Sequence, residues 1–457
     1  LTKPYSCPGK CIYCPDEKGM PKSYISDEPA AARALKLHFD PYEQVTRRLK
    51  ALQVNGHPTD KVELIVKGGS WNAYPLDYQY WFILRCFQAC NQSRNTYHVT
   101  HITPDNNKTY NKLDDFKKQL EKEQTKNEKV KHRIIGLTLE TRPDLINKKT
   151  IEAMREMGCT RIEMGVQTID DKILKLIKRG HDSTSVQKAT TLLRQYGFKL
   201  DYHLMPQLPG STPNKDLKMM LEIFDNPAYR PDMIKIYPCT VIENTELYRW
   251  LKQGKYKAYS VRKLIDILKK LKARLPYYVR ISRLIRDIPS HHVKDGNKMT
   301  NLRQVIQKEM TNEGLYCKCL RCREVGHSDK KSNTLKLFAD EYEASNGIEY
   351  FLSYEDEKRN TVYAFCRLRI NKDKTSIYPA FIRELHTYGN LVNIGQKEKQ
   401  ATQHKGLGKK LIKQAEKICK QNKIKKLAVI SGVGVKDYYR KMGYRKNGTY
   451  MVKTLKN

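Results

Sequence analysis

Cys7, Cys11 and Cys14 stand at Cys-x3-Cys-x2-Cys spacing, with no other cysteine or histidine close by in the chain. Three thiolates at this interval satisfy three irons of a 4Fe–4S cluster and leave the fourth iron open. An open iron can hold S-adenosylmethionine through its amino and carboxylate groups, and one electron from the cluster then yields a 5′-deoxyadenosyl radical. The competing reading is structural zinc, which wants a fourth ligand. A second triad, Cys317-Lys-Cys319-Leu-Arg-Cys322, is followed by His327. Three thiolates and an imidazole suit tetrahedral zinc, with His291 and His292 as rival fourth ligands and a second iron–sulfur cluster as the alternative metal. The other six cysteines, scattered through apolar runs, read as buried packing.

Tyr13, the aromatic ahead of Cys14, makes the first motif resemble that of radical SAM enzymes, where a Gly-Gly pair after a strand lets backbone approach the methionine amino group. Here Gly68-Gly69 directly follows the apolar run Val62–Val66. Glu140 and Arg142 end the next predicted strand and Gln167 another, which places polar groups at successive strand ends to hold ribose and carboxylate. Near the other end, Gln403-His404-Lys405-Gly406-Leu407-Gly408 precedes an amphipathic helix and looks like the pyrophosphate loop of GNAT acetyltransferases. Glycines there let backbone N–H groups face phosphates at a helix N-terminus. Tyr438 or Tyr439 could protonate the leaving thiolate of coenzyme A. The plainer reading is a core and a surface aromatic.

The elements that must position these residues alternate. Strands are predicted at Val62–Val66, Ile134–Leu139, Arg161–Val166, Leu200–Met205, Met233–Tyr237 and Tyr277–Ile281, with helices between most of them at Pro41–Leu52, Lys148–Met157, Asp171–Lys178, Val186–Tyr196, Lys215–Phe224 and Val261–Leu275. Asp105–His132 reads as an exposed helix. Alternating β and α elements imply a parallel sheet, open or curled into a barrel, with active groups at strand carboxyl ends. From Asp287 to Lys331 no long strand is expected, and the segment reads as a metal-stapled connector with little core. A second αβ module begins near Asn333, with strands at Tyr350–Tyr354, Thr361–Ile370, Ala380–Tyr388 and Lys426–Ile430, a helix at Leu407–Gln421 and a short one around Val435–Met442.

Over 457 residues, 86 Lys and Arg face 49 Asp and Glu, a formal charge of +37. The excess is +14 over residues 333–457 and +23 over the rest. No apolar run approaches the roughly 20 residues of a membrane span, and 29 Tyr with many aliphatic runs exclude a disordered chain. Basic excess in both parts points to a polyanion, nucleic acid first. The clustered cysteines point to a reducing, cytoplasmic compartment. Leu1 suggests that the chain begins inside a longer protein.

Both halves together resemble the catalytic subunit family of Elongator, the tRNA wobble-uridine carboxymethylation enzymes. The stretches that carry the resemblance include Thr-Leu-Glu-Thr-Arg-Pro-Asp at 138–144, Glu-Met-Gly-Val-Gln at 163–167, Leu-Ile-Lys-Arg-Gly-His at 176–181 and Val-Ile-Ser-Gly-Val-Gly at 429–434. The resemblance implies an α/β architecture: a radical SAM partial TIM-like barrel over 1–286, a zinc-binding connector over 287–332 and a GNAT acetyltransferase-like domain over 333–457. It implies a tRNA anticodon stem-loop as partner, accessory subunits in some lineages, and acetyl-CoA that binds the terminal domain and reaches toward the radical site. By position it implies acetyl-CoA contacts at Lys61, Glu384, Leu385, His386, Gln403, His404 and Tyr438 or Tyr439. Family members carry a basic segment and a barrel strand ahead of the first cysteines, absent here, and Gly-Gly-Ser-Trp at 68–71 replaces Gly-Gly-Thr-Phe. The rival enzyme reading is a protein lysine acetyltransferase with Glu384 as base. The rival non-enzyme reading, a tRNA-binding scaffold, would need neither the cysteine motif nor the glycine loop.

Overall fold

The computed structural model describes residues 1–92, 112–327, 334–388 and 406–456, apart from the side chains of Lys112 and His327. Six parallel strands form the first sheet: β1 (Lys61–Ile65), β2 (Arg133–Thr141), β3 (Arg161–Gln167), β4 (Lys199–Leu204), β5 (Met233–Ile236) and, beyond the ribbon strand β6 (Val241–Ile242), β7 (Arg280–Arg283). Their spatial order, β1-β2-β3-β4-β5-β7, never reverses. Successive crossovers of one hand then keep the helices on one face of the sheet, which curls into a partial barrel; a doubly wound sheet would need a reversal.

Strand sequences explain how such a sheet can be buried on both faces. In β3, Arg161, Glu163, Gly165 and Gln167 alternate with Ile162, Met164 and Val166, and all seven are buried. In β4, Lys199, Asp201 and His203 alternate with Leu200, Tyr202 and Leu204. Because side chains alternate across a strand, the apolar set lies under the helices and the polar set fills the barrel lumen.

The helix Leu76–Asn91 escapes sequence expectation because it lacks a polar face: Tyr78 through Phe87 are all buried. A helix apolar all round has no amphipathic period to find. Lys112–Asn127 is the helix expected within Asp105–His132, but Phe116 and Leu120 bury one side of it; residues 105–111 lie outside the described residues. The expected strand Tyr277–Ile281 starts later, at Arg280. The segment after Asp287 is not poor in core, as its composition suggested. Ribbon strand β8 (Val293–Asp295) pairs with β6. Helix Leu302–Asn312 then presents Leu302, Ile306 and Met310 every fourth residue to the main core, where Cys319 and Leu320 join them.

The second sheet has seven strands: β9 (Lys336–Glu343), β10 (Gly347–Glu355), β11 (Val362–Asn371), β12 (Ala380–Thr387), β13 (Lys426–Val429), β14 (Arg445–Asn447) and β15 (Tyr450–Thr454), in the order β14-β15-β13-β12-β11-β10-β9. All neighbours are antiparallel except β12 and β13, joined by a crossover that includes the helix Leu407–Gln421. That parallel pairing stops at Ile382–Val429, so β12 runs on to Thr387 without β13 beside it. The strands therefore splay beside the N-terminus of the helix.

Between the sheets lies a buried ionic network. The Arg383 guanidinium donates to both Asp232 oxygens at 2.7 and 2.6 Å and to Glu349 at 3.0 and 2.7 Å. Arg194 and Arg369 also donate to Glu349, at 2.5 and 3.1 Å. Asp232 opens β5 at its N-terminal side, so the second sheet packs beneath the barrel, opposite the strand carboxyl ends. Among the described residues no helix is long and apolar enough to cross a membrane.

Candidate active site

The loop Cys7–Cys14 seats on the carboxyl ends of the barrel strands. Its middle is pinned by backbone bonds from Ile12 N–H to Ile177 O and from Leu247 N–H to Ile12 O. Cys7, Cys11 and Cys14 line one cavity together with Lys67, Gly69, Glu140, Arg142, Gln167, Arg179 and His203. Glu140, Arg142 and Gln167 thus converge with the cysteines, and Gln167 turns off its strand with φ +69°. Of the glycine pair only Gly69 faces the cavity. Gly68 packs on Thr2, where a Cβ would stand 1.9 Å from the hydroxyl oxygen.

Arg179, buried, donates to Cys11 Sγ at 3.3 Å and to Gly165 O at 2.6 Å. A hydrogen bond from Cys14, with Arg179 and Arg142 nearby, holds the Cys11 thiol down at about 4 against the opposing effect of burial. This environment favours the thiolate, the metal-binding form of cysteine. Among the described residues, the cysteine triad whose sulfurs all lie within 4.8 Å is the second one, not this one. Tyr13 Oη, Thr141 Oγ1, Arg142 Nη1 and Arg179 Nε are buried at this cavity without a hydrogen-bond partner. Orphaned buried polar atoms are costly in a folded chain. Three convergent sulfurs, orphaned donors and the acceptor Glu140 fit a 4Fe–4S cluster with S-adenosylmethionine on its open iron.

Below the cavity the lumen is filled with paired charges. Glu163 accepts from Lys67, from Lys235 at 2.5 Å and from His203 Nε2 at 3.2 Å. Burial opposes its ionisation, but these three groups outweigh burial and keep the carboxyl well below its usual range. Lys67 also reaches Glu140 at 3.3 Å. Deeper, burial raises the Asp201 carboxyl, which accepts from Ser282 at 3.1 Å. Arg161 pairs with Glu63 at 2.7 Å. Glu63 is in electrostatic reach of Lys199, Glu384 and His386, so the lower end of the barrel faces β12. Apart from Glu140, these lumen residues escape the sequence analysis, although the period-two alternation of β3 and β4 marks Arg161, Glu163, Asp201 and His203. Lys61 begins β1 on the face of Glu63.

Glu384 accepts from Arg367 at 2.8 Å and stands 3.7 Å from Lys199. Burial opposes its charge, but Lys199 and Arg367 prevail and bring the carboxyl to about 2. Burial lowers the His386 imidazole. At the splay, Gly408 Cα sits where an added Cβ would be 2.7 Å from Tyr438 Oη and 3.7 Å from both Leu385 Cδ2 and Thr387 Oγ1. The helix N-terminus, β12 and the Tyr438 hydroxyl therefore meet at one point. Gly406 caps that helix with φ +71°. Tyr438 is 37% exposed, whereas Tyr439 is buried against Tyr444. Gln403, His404 and Lys405 lie outside the described residues.

Cys317, Cys319 and Cys322 bring their sulfurs within 4.8 Å of one another, with Lys272 Nζ 3.7 Å from Cys322 Sγ. Hydrogen bonds from Cys317 and Cys322 hold Cys319 well below the thiol range. His291 and His292, the rival fourth ligands, do not join this triad. Both turn to Asp27 instead, because the 3-10 turn Ser290–His292 lies against the N-terminal segment. The His327 side chain is outside the described residues. The six remaining cysteines are free and buried.

The chain matches the radical SAM superfamily over residues 3–223, a radical SAM C-terminal domain over 231–312 and an acetyltransferase (GNAT) domain over 399–454. It is 44% identical over 477 aligned positions to a tRNA uridine(34) acetyltransferase of Methanocaldococcus infernus, covering all of this chain and 84% of that protein. It is 41% identical to one of Dehalococcoides mccartyi, with 96% of it covered, and 36% identical to human Elongator complex protein 3, with 83% covered. The solved archaeal Methanocaldococcus infernus Elp3 with an N-terminal deletion superposes with a TM-score of 0.82 at 42% identity, over 92% of this chain and 97% of that one.

Proposed function

Because this chain belongs to the family of tRNA uridine(34) acetyltransferases and Elongator complex protein 3, we propose that it modifies tRNA, placing a carboxymethyl group on carbon 5 of the wobble uridine with acetyl-CoA as the carbon source. The observation that supports this reading is the series of buried charged side chains that runs inside the barrel from the cysteine cavity down to Glu63, which interacts electrostatically with Glu384 and His386 of β12. A lysine acetyltransferase would need the splay alone.

In this reading Cys7, Cys11 and Cys14 hold the cluster, while Gly69, Glu140, Arg142 and Gln167 hold S-adenosylmethionine. When bound, the pair supplies a carbon radical able to take hydrogen from an acetyl methyl group. The chain's own residues do the rest. The amides at Gly406–Gly408, with Gln403, His404 and Lys405, cradle the pyrophosphate of acetyl-CoA. Leu385 and β12 guide its arm toward Glu384 and His386, and Lys61 contacts it from β1. Lys67, His203 and Lys235, neutralised by Glu163 and Glu140, form a polar floor to the cysteine cavity that keeps bulk water out. The Tyr438 hydroxyl, not the buried Tyr439, is placed to protonate the departing thiolate. Cys317, Cys319 and Cys322 hold a structural zinc, whose four-coordinate geometry at about 2.3 Å per sulfur suits donors this close. The boundaries 1–286, 287–332 and 333–457, a cytoplasmic setting that keeps twelve cysteines free, and accessory subunits in some lineages belong to the same proposal.

The test is mass analysis of the wobble uridine from tRNA incubated with reduced, reconstituted protein, S-adenosylmethionine and acetyl-CoA. A carboxymethyl adduct that requires all three is the expected result. Acetylation of lysines with unmodified uridine would favour the acetyltransferase reading instead.

A further inference from the structure

We propose that Asp27, His291 and His292 form a divalent-metal site of two imidazoles and one carboxylate on the rim of the cysteine-lined cavity. His292 Nε2 lies 2.8 Å and His291 Nε2 3.4 Å from the same oxygen, Asp27 Oδ2. The three donor atoms all fall within 4.8 Å of one another, and the imidazole rings stand 4.2 Å apart at 42°. Metal–nitrogen and metal–oxygen bonds of about 2.0–2.2 Å, at angles between octahedral and tetrahedral, separate adjacent donors by about 2.9–3.4 Å. The two imidazole–carboxylate separations lie at or close to this range, so an ion bound here takes the place of the two hydrogen bonds, each ring then carrying its proton on Nδ1. The side chains are 54%, 67% and 32% exposed for Asp27, His291 and His292, so an entry path exists and the remaining coordination positions are open to water.

Placement gives the site a task. Asp27 follows the cysteine loop, and its neighbour Glu28 lines the cavity, as does Val293 beside His292. Arg286 already straps these two segments together, donating to Glu28 at 2.6 Å and to Ser23 Oγ at 2.9 Å. An ion on Asp27, His291 and His292 adds a second strap between residues that are more than 260 positions apart. With imidazole and carboxylate donors and no thiolate, the site selects borderline first-row cations such as Zn²⁺, Ni²⁺ or Co²⁺ over Mg²⁺ or Ca²⁺.

The probe is Co²⁺, titrated by equilibrium dialysis into the full, tag-free chain after its cysteine sites are filled. Wild type is expected to take up one further equivalent, with weak ligand-field bands and no sulfur-to-metal charge transfer. The H291Q/H292Q double variant and D27N should each bind that equivalent on the order of a hundredfold more weakly, with unchanged far-ultraviolet dichroism. Bound Co²⁺ should slow proteolysis of residues 15–28 in wild type alone. Equal Co²⁺ uptake by wild type and H291Q/H292Q would overturn the site and leave the histidines as a metal-free latch on Asp27. The count is independent of any tRNA-modifying activity.

Discussion

Arg179 places a guanidinium N–H 3.3 Å from Cys11 Sγ inside a buried pocket. A donor to a cluster sulfur stabilises the more negative, reduced state. A charge-assisted hydrogen bond contributes about 1.5–3 kcal/mol, and a tenfold change in a one-electron equilibrium is about 59 mV. Arg179→Gln should therefore retain the cluster while lowering its midpoint potential by up to about 65–130 mV, and Arg179→Lys by less, as followed by a redox titration of the reduced-cluster signal. An unchanged potential would remove Arg179 from the tuning of the site. At the other site the two adjacent tyrosines separate cleanly. Tyr438→Phe should slow acetyl-CoA turnover by about 100-fold or more, the scale of losing a general acid. Tyr439→Phe should leave it nearly unchanged, since that hydroxyl faces core. The expectation fails if the two variants are equally impaired.

At the scale of elements, β3 and β4 are the strands that make the barrel interior chemical. Their alternation puts Glu163 among Lys67, His203 and Lys235. Glu163→Gln leaves those groups buried without their anion, and removing one partner of a buried ion pair costs about 3–5 kcal/mol. A urea midpoint reduced accordingly, with an unchanged slope, is the expected outcome; wild-type stability would show that water already screens the lumen. The turn after β13 is the second decisive element. An added Cβ at Gly432 would lie 1.9 Å from Ile135 O on β2. Gly432→Ala should cost about 1–3 kcal/mol through overpacking, read as a lower thermal midpoint. The amphipathic helix Leu302–Asn312 was passed over inside a segment read as a connector, whereas the barrel strands and most helices between them were legible because their periods were. Leu76–Asn91 was not, because burial on every side erases the period. Strand β9 was missed as well: Lys336–Glu343 is an edge strand with no residue fully buried, and its place is set by pairing with β10.

At the scale of the whole molecule, the ionic seam between the two sheets should make them unfold as one cooperative unit. Asp232 and Glu349, each fully buried, hold Arg194, Arg367, Arg369 and Arg383 between them. Wild type should show a single calorimetric transition, and Asp232→Asn should split it or lower it by about 3–5 kcal/mol. Acid should weaken the same seam. Burial opposes ionisation of Asp232, Glu349 and Glu384, yet their arginine and lysine partners depress all three carboxyls. For Glu384, which falls from 4.5 to about 2, the unfolded chain binds a proton across that interval that the folded chain does not. Its contribution of about 3 kcal/mol is thus complete above pH 4.5 and lost as pH falls through 2. Denaturant midpoints measured across pH 5 to 2 should fall steadily. A flat profile would mean that these pairs do not distinguish the folded state.

The sequence by itself determined the kinds of chemistry present. Thiolate triads, a glycine loop and alternating βα periods are local patterns, and their spacing survives whatever the rest of the chain does. Only the tertiary structure decided which of them meet. It set Glu163 against His203 and Lys235 from two other strands and Lys67 from the loop after β1, turned Tyr438 rather than Tyr439 to Gly408, and took His291 and His292 away from the second cysteine triad to Asp27. Such pairings depend on how strands and loops distant in sequence are packed, and no spacing along the chain encodes them.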